Sequence, residues 1–197
     1  CAGTVEWDTV DIQTLNRDQL FSHVGILSQD FSRWPFTAQA NVMIGDPKKV
    51  VNESTLADSA AYADAVEIIE NLPRKWDTLL ARQFSGGLEL SGGQWQRIGL
   101  ARAHYRSASI LIYDEPTSAL DPKAEIEIFE KIRALASEGH TIIIITHRLA
   151  SVRHADMIFM LAHGRLIESG THEQLLNLQG NFAQLYQLQA RQYHHPQ

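Results

Sequence analysis

Residues 90–94 read Leu-Ser-Gly-Gly-Gln. Ser91 is a good helix N-cap, and Gly92 and Gly93 let a backbone approach a ligand with no Cβ in the way. The stretch behind them, Gln96–Tyr105, carries Arg97, Arg102 and several small residues and reads as helix. Such a helix start turns unpaired N–H groups and a partial charge of about +0.5 toward its guest, and phosphate is the natural one. A second chemical feature closes the same region, where the apolar run Ile110–Tyr113 ends in Asp114-Glu115. In open α/β folds, ligands bind at the carboxyl ends of such strands. There Asp114 can hold Mg²⁺ through oxygen, directly or through water. Glu115 can polarise an attacking water, a role whose loss costs on the order of 10²–10⁴ in rate. Each half is ambiguous alone. S-G-G also describes a capped helix start after a flexible loop, and D-E a strand capped by two solvated acids.

The elements that must position these residues follow from periodicity. Residues 2–7 predict a strand and Asp8–Asp11 a turn. Asn16–Leu20 predicts a helical turn and His23–Ser28 a short strand, with Gln29 just past it. From Thr37 the texture becomes helical. Ser54–Leu72 carries an apolar stripe at Leu56, Ala60, Ala63, Val66, Ile69 and Leu72, with Ser54 as N-cap and Pro73 as stop. After Glu115, Asp121–Ser137 predicts a helix with Pro122 in its first turn and Gly139 beyond its end. Thr141–Thr146 is apolar on both faces, as a central parallel strand should be, and His147 follows it. Leu149–Arg153 predicts a short helix, and 156–169 a hairpin turning at His163-Gly164. Two further helices cover 171–178 and 181–193. The pattern predicts an α/β fold, a mostly parallel sheet with an inserted helical subdomain.

Composition narrows the function. A net charge of -6 argues against a nucleic-acid partner, because backbone binding needs a basic surface. Cys1 is the only cysteine, so no intrachain disulfide forms and a reducing compartment is the simpler reading. No run approaches the roughly 20 apolar residues that a membrane-spanning helix needs. His194 and His195 read as a loose tail, and the other scattered histidines, His104 and His140 among them, as surface or packed residues. Phe31, Trp34 and Phe36, in and beyond the loop after Gln29, suit either local packing or a partner helix.

Taken in order, Gln29, Leu90–Gln94, Ile110–Glu115, Ser118–Asp121 and Thr146–Leu149 resemble the motifs of the nucleotide-binding domain of an exporter-type ATP-binding cassette (ABC) transporter. The resemblance runs from about Thr4 to Tyr193. Ser151-Val152 with Ala155-Asp156, and Glu168–His172, add the exporter flavour. It implies a P-loop NTPase-like core, with residues 1–36 (Q-loop) and 106–193 as RecA-like parts, 37–105 as the helical subdomain and 194–197 as a tail. It implies ATP and Mg²⁺ as ligands, ATP hydrolysis, and two such domains sandwiching two ATP molecules. Ser91, Gly92, Gly93 and Gln94, the signature, would meet the γ-phosphate held by the partner. Gln29 would reach Mg²⁺ and the attacking water, His147 the γ-phosphate, and Asp121 the partner across the interface. Asp114 and Glu115 keep the metal and base roles. The implied partners are a transmembrane domain and a second nucleotide-binding domain, at the cytoplasmic face of the cell membrane.

Three departures stand out. A P-loop needs G-x-x-x-x-G-K-S/T, yet none of Lys48, Lys49, Lys75, Lys123 and Lys131 follows a glycine. The expectation is a piece of a longer polypeptide, incomplete at its N-terminus and inactive alone. Leu79–Gly87 also lacks the glutamate that many exporters carry ahead of the signature. Tyr113 replaces a usual aliphatic, which is neutral if its hydroxyl finds a partner. The alternatives are a non-catalytic interaction fragment and a DNA-repair-type ABC ATPase. The short, heptad-free stretch between Gln29 and Ser91 speaks against the latter.

Overall fold

The computed structural model describes residues 3–194; Cys1 and the tail residues from His195 onward lie outside them. The chain divides into two compact units, Cys1–Ile145 and Thr146–Gln197.

The first unit opens with a hairpin, β1 (Glu6–Trp7) paired antiparallel with β2 (Val10–Asp11). Of the expected strand over 2–7, Glu6 and Trp7 form the paired strand, and Ala2 lies outside the described residues. Asp8 and Thr9 make the turn at φ +48° and +69°. Helix α1 (Arg17–Ser22) starts on Asn16, whose side chain accepts from the Gln19 amide, and leads into β3 (Val24–Leu27). Thr37 caps α2 (Ala38–Met43).

The expected helix over 54–72 is two helices, α3 (Glu53–Tyr62) and α4 (Val66–Glu70), and Asn52 rather than Ser54 is the cap. The apolar stripe runs through the break, which hid it. Asp64 adopts φ +51°, and the Ala65 and Asp64 amides donate back to Ala60 O and Ala61 O at 2.8 and 3.3 Å. That is a helix stop with an aspartate in the left-handed position. Asp64 is also anchored from outside. Its carbonyl accepts from Arg97 Nη1 at 3.1 Å, and its carboxylate pairs with Lys131.

Helix α5 (Gly92–Tyr105), strand β4 (Ile110–Asp114), helix α6 (Pro122–Ser137) and strand β5 (Thr141–Ile145) complete the unit. The sheet runs β3-β4-β5, all parallel, with Leu27 opposite Tyr113 and Tyr113 opposite Ile144. The central strand is therefore β4, not β5 as expected. Among the described residues β5 is an edge strand, and Ile143 and Ile145 on it are 46% and 52% exposed. Leu111 and Tyr113 are buried with Trp95, Ile98 and Leu100 of α5 in one core, each large aliphatic contributing about 1.5–3 kcal/mol. Gly99 lets α5 lie close to β3, because a Cβ there would stand 2.8 Å from Leu27 Cδ1. Beneath the sheet, the Tyr113 hydroxyl finds its partner in Tyr62 Oη, 3.3 Å away. His104 stacks on Tyr62 with centroids 4.3 Å apart, and His140 Nδ1 bonds Ala108 O at 2.8 Å, both as packed residues.

The segment after Gln29 is fixed from the helices. Asn41 is fully buried and donates to the carbonyls of Trp34, Phe36 and Thr37. Arg102 of α5 donates to Asn41 O at 2.8 Å and Ser32 O at 2.9 Å, and burial pulls its guanidinium down to about 10, still charged at neutral pH.

The second unit holds a short 3-10 turn (Leu149–Val152), the antiparallel hairpin β6 (Ile158–Ala162) and β7 (Arg165–Gly170), and helices α7 (His172–Leu178) and α8 (Asn181–His194). Ile158, Leu175 and Phe182 form its core. The hairpin turns at His163 and Gly164, φ +49° and +71°, as expected. Glu168 is buried and accepts from the Phe182 amide at 3.0 Å and from Asn181 Nδ2 at 2.9 Å, which ties β7 to the start of α8. No helix among the described residues is long and apolar enough to cross a membrane.

Candidate functional site

The start of α5 is built by a reciprocal cap. Ser91 Oγ accepts from the Gln94 amide at 3.3 Å, and the Gln94 side-chain oxygen accepts from the Ser91 amide at 2.9 Å. This capping box uses two neutral side chains. The amides of Gly92 and Gly93 are left without a partner among the described residues, and the first turn contains no acid. The side chain and the amide of Gln94 are both committed to the cap.

The carboxyl edge of the sheet gathers the second group. Strands β3 and β4 run parallel with Leu27 opposite Tyr113, so Gln29, just past β3, and Asp114-Glu115, at the end of β4, lie at the same carboxyl edge. Gln29 is exposed in the turn after β3. Asp114 is half-buried at the end of β4, and its carboxylate makes no hydrogen bond or ion pair among the described residues. Glu115 is buried and sits at φ +51°, a conformation that costs a non-glycine residue about 1–3 kcal/mol. Its amide donates to Ile145 O at 2.9 Å and its carbonyl accepts from Ser118 N at 3.2 Å. Left-handed backbone here turns the chain sharply off the sheet into Pro116 and Thr117, both buried.

Gln96 joins these two groups and was missed by the sequence reading. Its Nε2 donates to Glu115 O at 3.0 Å, and its Oε1 accepts from Ala119 N at 3.0 Å and from Ser118 Oγ at 3.4 Å. A signal existed, since Gln96 lies one turn before buried Leu100 on the core-facing side of α5, where a polar side chain needs a partner. The start of α5 also touches the same loop directly, because a Cβ on Gly93 would stand 3.1 Å from Ala119 O.

Asp121 is an N-cap. Its Oδ1 accepts from the Ala124 and Lys123 amides at 3.1 and 3.0 Å. Those bonds, with Arg97 adding a smaller attraction, hold its carboxyl below the usual range. His147 belongs to the second unit, where it is exposed and its carbonyl accepts from Gln189 Nε2 at 2.6 Å. The first unit thus brings Gln29, Asp114 and Glu115 to one sheet edge and ties Ser91–Gln94 to them through Gln96.

Known proteins share this stretch. An ABC transporter family model matches residues 1–118, which take in the α5 start, Gln96, Asp114 and Glu115. The ATP-dependent lipid A-core flippase of Legionella pneumophila (strain Paris) is 39% identical over 187 residues, covering 95% of this chain and 31% of that protein. P-glycoprotein 14 of Caenorhabditis elegans is 38% identical over 188 residues, covering 95% of this chain and 14% of that protein. The solved structure of a bacterial Atm1-family ABC exporter with ATP bound matches at a TM-score of 0.88 and 34% identity, covering 96% of this chain and 32% of that one. The chain therefore spans about a third or less of the length of these relatives. The family match extends over more than half of the residues, and the same fold is found at 34% identity, so this chain belongs to the ABC transporter family.

Proposed function

We propose that the chain is the ATP-hydrolysing module of an ABC exporter, working as a pair at the cytoplasmic face of the cell membrane. The observation that carries this reading is the unpaired, half-buried Asp114 beside the left-handed Glu115, at the same sheet edge as Gln29. The donor set suits Mg²⁺. No group of three or more His, Cys, Asp or Glu that could hold a metal occurs among the described residues, and Mg²⁺ bound with a nucleotide typically takes one or two carboxylates, with phosphates and water completing its shell. Asp114 and Gln29 would hold it, and when bound it neutralises charge on the phosphates.

In this reading Glu115 accepts the proton of the attacking water as its oxygen bonds to the γ-phosphorus and the bond to the β-phosphate oxygen breaks. His147 steadies the γ-phosphate. Ser91 and the amides of Gly92 and Gly93 meet the γ-phosphate of an ATP held by the partner, and Asp121 lies at that interface while capping its own helix. Most of the work is positioning and charge stabilisation. Residues 37–105 form the helical subdomain between RecA-like parts 1–36 and 106–193, and the exposed Trp34–Phe36 stack, with centroids 5.9 Å apart, faces the transmembrane domain. By themselves these 197 residues, which contain no G-K-S/T, are inactive.

The test is Glu115→Gln in the full exporter polypeptide that carries this chain. Turnover should fall by about 10²–10⁴ with ATP affinity retained. Unchanged turnover removes Glu115 as the base.

A further inference from the structure

Gln96 is 4% exposed, and it uses both ends of its amide. The donor end holds the Glu115 carbonyl at 3.0 Å, and the acceptor end holds the Ala119 amide at 3.0 Å and the Ser118 hydroxyl at 3.4 Å. The Glu115 peptide is the one the fold keeps at φ +51°. A residue in that conformation relaxes unless its surroundings over-determine it. Three bonds do so here: to Ile145 O, from Ser118 N and from Gln96. Two of the three lie within the sheet and the turn themselves. Gln96 ties that peptide to the helix that begins at Gly92.

The same helix start rests on the same loop. Gly92 and Gly93 face Ala119 and Leu120, where a Cβ on each would stand 3.8 Å from Ala119 Cβ and 3.1 Å from Ala119 O respectively. The first turn of α5, the Gln96 amide and residues 115–119 therefore form one connected block. A shift at the start of α5 is carried to the Glu115 backbone over little more than one helical turn.

Building on the ATPase reading above, we infer that Gln96 is a positioning residue, which holds the Glu115 peptide in its left-handed conformation and links it to the phosphate-facing start of α5. Engagement of that start by a partner's ATP is thereby felt at the base of this chain's own site. Gln96 touches no reacting atom. Its effect falls on turnover and not on ATP binding, because Asp114 and Gln29 do not depend on it.

The experiment uses the full exporter polypeptide with Gln96→Leu, Gln96→Glu, Glu115→Gln and the double variant Gln96→Leu with Glu115→Gln. Displacements of about 1 Å at a reacting group cost up to roughly 10²-fold. Gln96→Leu should lower kcat by about 10- to 100-fold on that scale, with KM for ATP within about twofold of the parent. Gln96→Glu keeps the acceptor for Ala119 but turns an oxygen toward the Glu115 carbonyl. It should show the same loss of kcat, and it decides the matter if Gln96→Leu fails to fold. The double variant should be no slower than Glu115→Gln alone, since a positioning residue has nothing left to position. Unchanged kcat per folded molecule in the Gln96 variants overturns the inference, as does a double variant in which the two losses multiply. A fully active Glu115→Gln protein overturns the ATPase reading of Glu115 instead, a result that the Gln96 variants alone do not produce.

Discussion

Helices α5 and α6 both begin within the site and both carry a side-chain cap, but with opposite electrostatics. Ser91 and Gln94 cap α5 with neutral groups, and no acid stands in its first turn. Asp121 caps α6 with a carboxylate, and Glu125 adds a second negative charge in that first turn. The partial positive charge of a helix start, about +0.5, is therefore met by carboxylates in the cap and first turn of α6, whereas those positions of α5 hold none. Two sequences that both satisfy the rules of helix capping thus differ in what they leave for a ligand. The end without an acid, which also has two glycines, is the one that suits a phosphate oxygen.

Three substitutions test that contrast. The largest effect is expected from Ser91→Asp, which keeps a good cap but gives α5 the electrostatics of α6. ATP turnover of the full exporter polypeptide should fall by at least about tenfold, some 1.4 kcal/mol of lost interaction, while thermal unfolding shows no loss of stability. Retained turnover would mean that charge at this helix start is irrelevant. Next comes Ser91→Ala, which removes the cap without adding charge. It should destabilise by about 1 kcal/mol, measured by denaturant unfolding. The smallest effect at neutral pH is expected from Asp121→Asn, because asparagine caps as well as aspartate. Its signature lies in acid. The Asp121 carboxyl is held below its ordinary range by the Ala124 and Lys123 amides, so its contribution is complete above the unfolded value of about 3.9 and is lost as pH falls below it. Thermal scans between pH 5 and 3 should therefore decline less steeply for Asp121→Asn than for the parent, and equal slopes would show that the cap's charge is not what titrates.

Much of this site could be read from residue types, because its chemistry sits on local signals. Ser91 followed by Gln94, Asp121 before Pro122, and an apolar run ending in Asp114-Glu115 each announce a helix start or a strand end with no knowledge of the tertiary fold. What stayed hidden depends on contacts between distant segments. The helix break at Asp64 is held by Arg97 and Lys131, residues far away in sequence, and the apolar stripe passed through it unbroken. Thr141–Ile145 looked central because four isoleucines suit burial on both faces, yet strand order is a property of the sheet and not of the strand. Gln96 reads as an ordinary helical glutamine until the loop it holds is in place. Asp121 carries two readings at once, because the resemblance to known motifs supplies an interface role and the adjacent proline marks the helix start that it caps.

The row Ile26–Ile112–Ile143 crosses one face of the sheet in register, and its two outer members are 56% and 46% exposed. A contiguous exposed apolar strip is a place where proteins associate. Copies of the chain meeting through it would be stabilised by mass action, so the melting temperature would fall with dilution. Protein concentration is then a thermodynamic variable of this chain on the same footing as pH or salt.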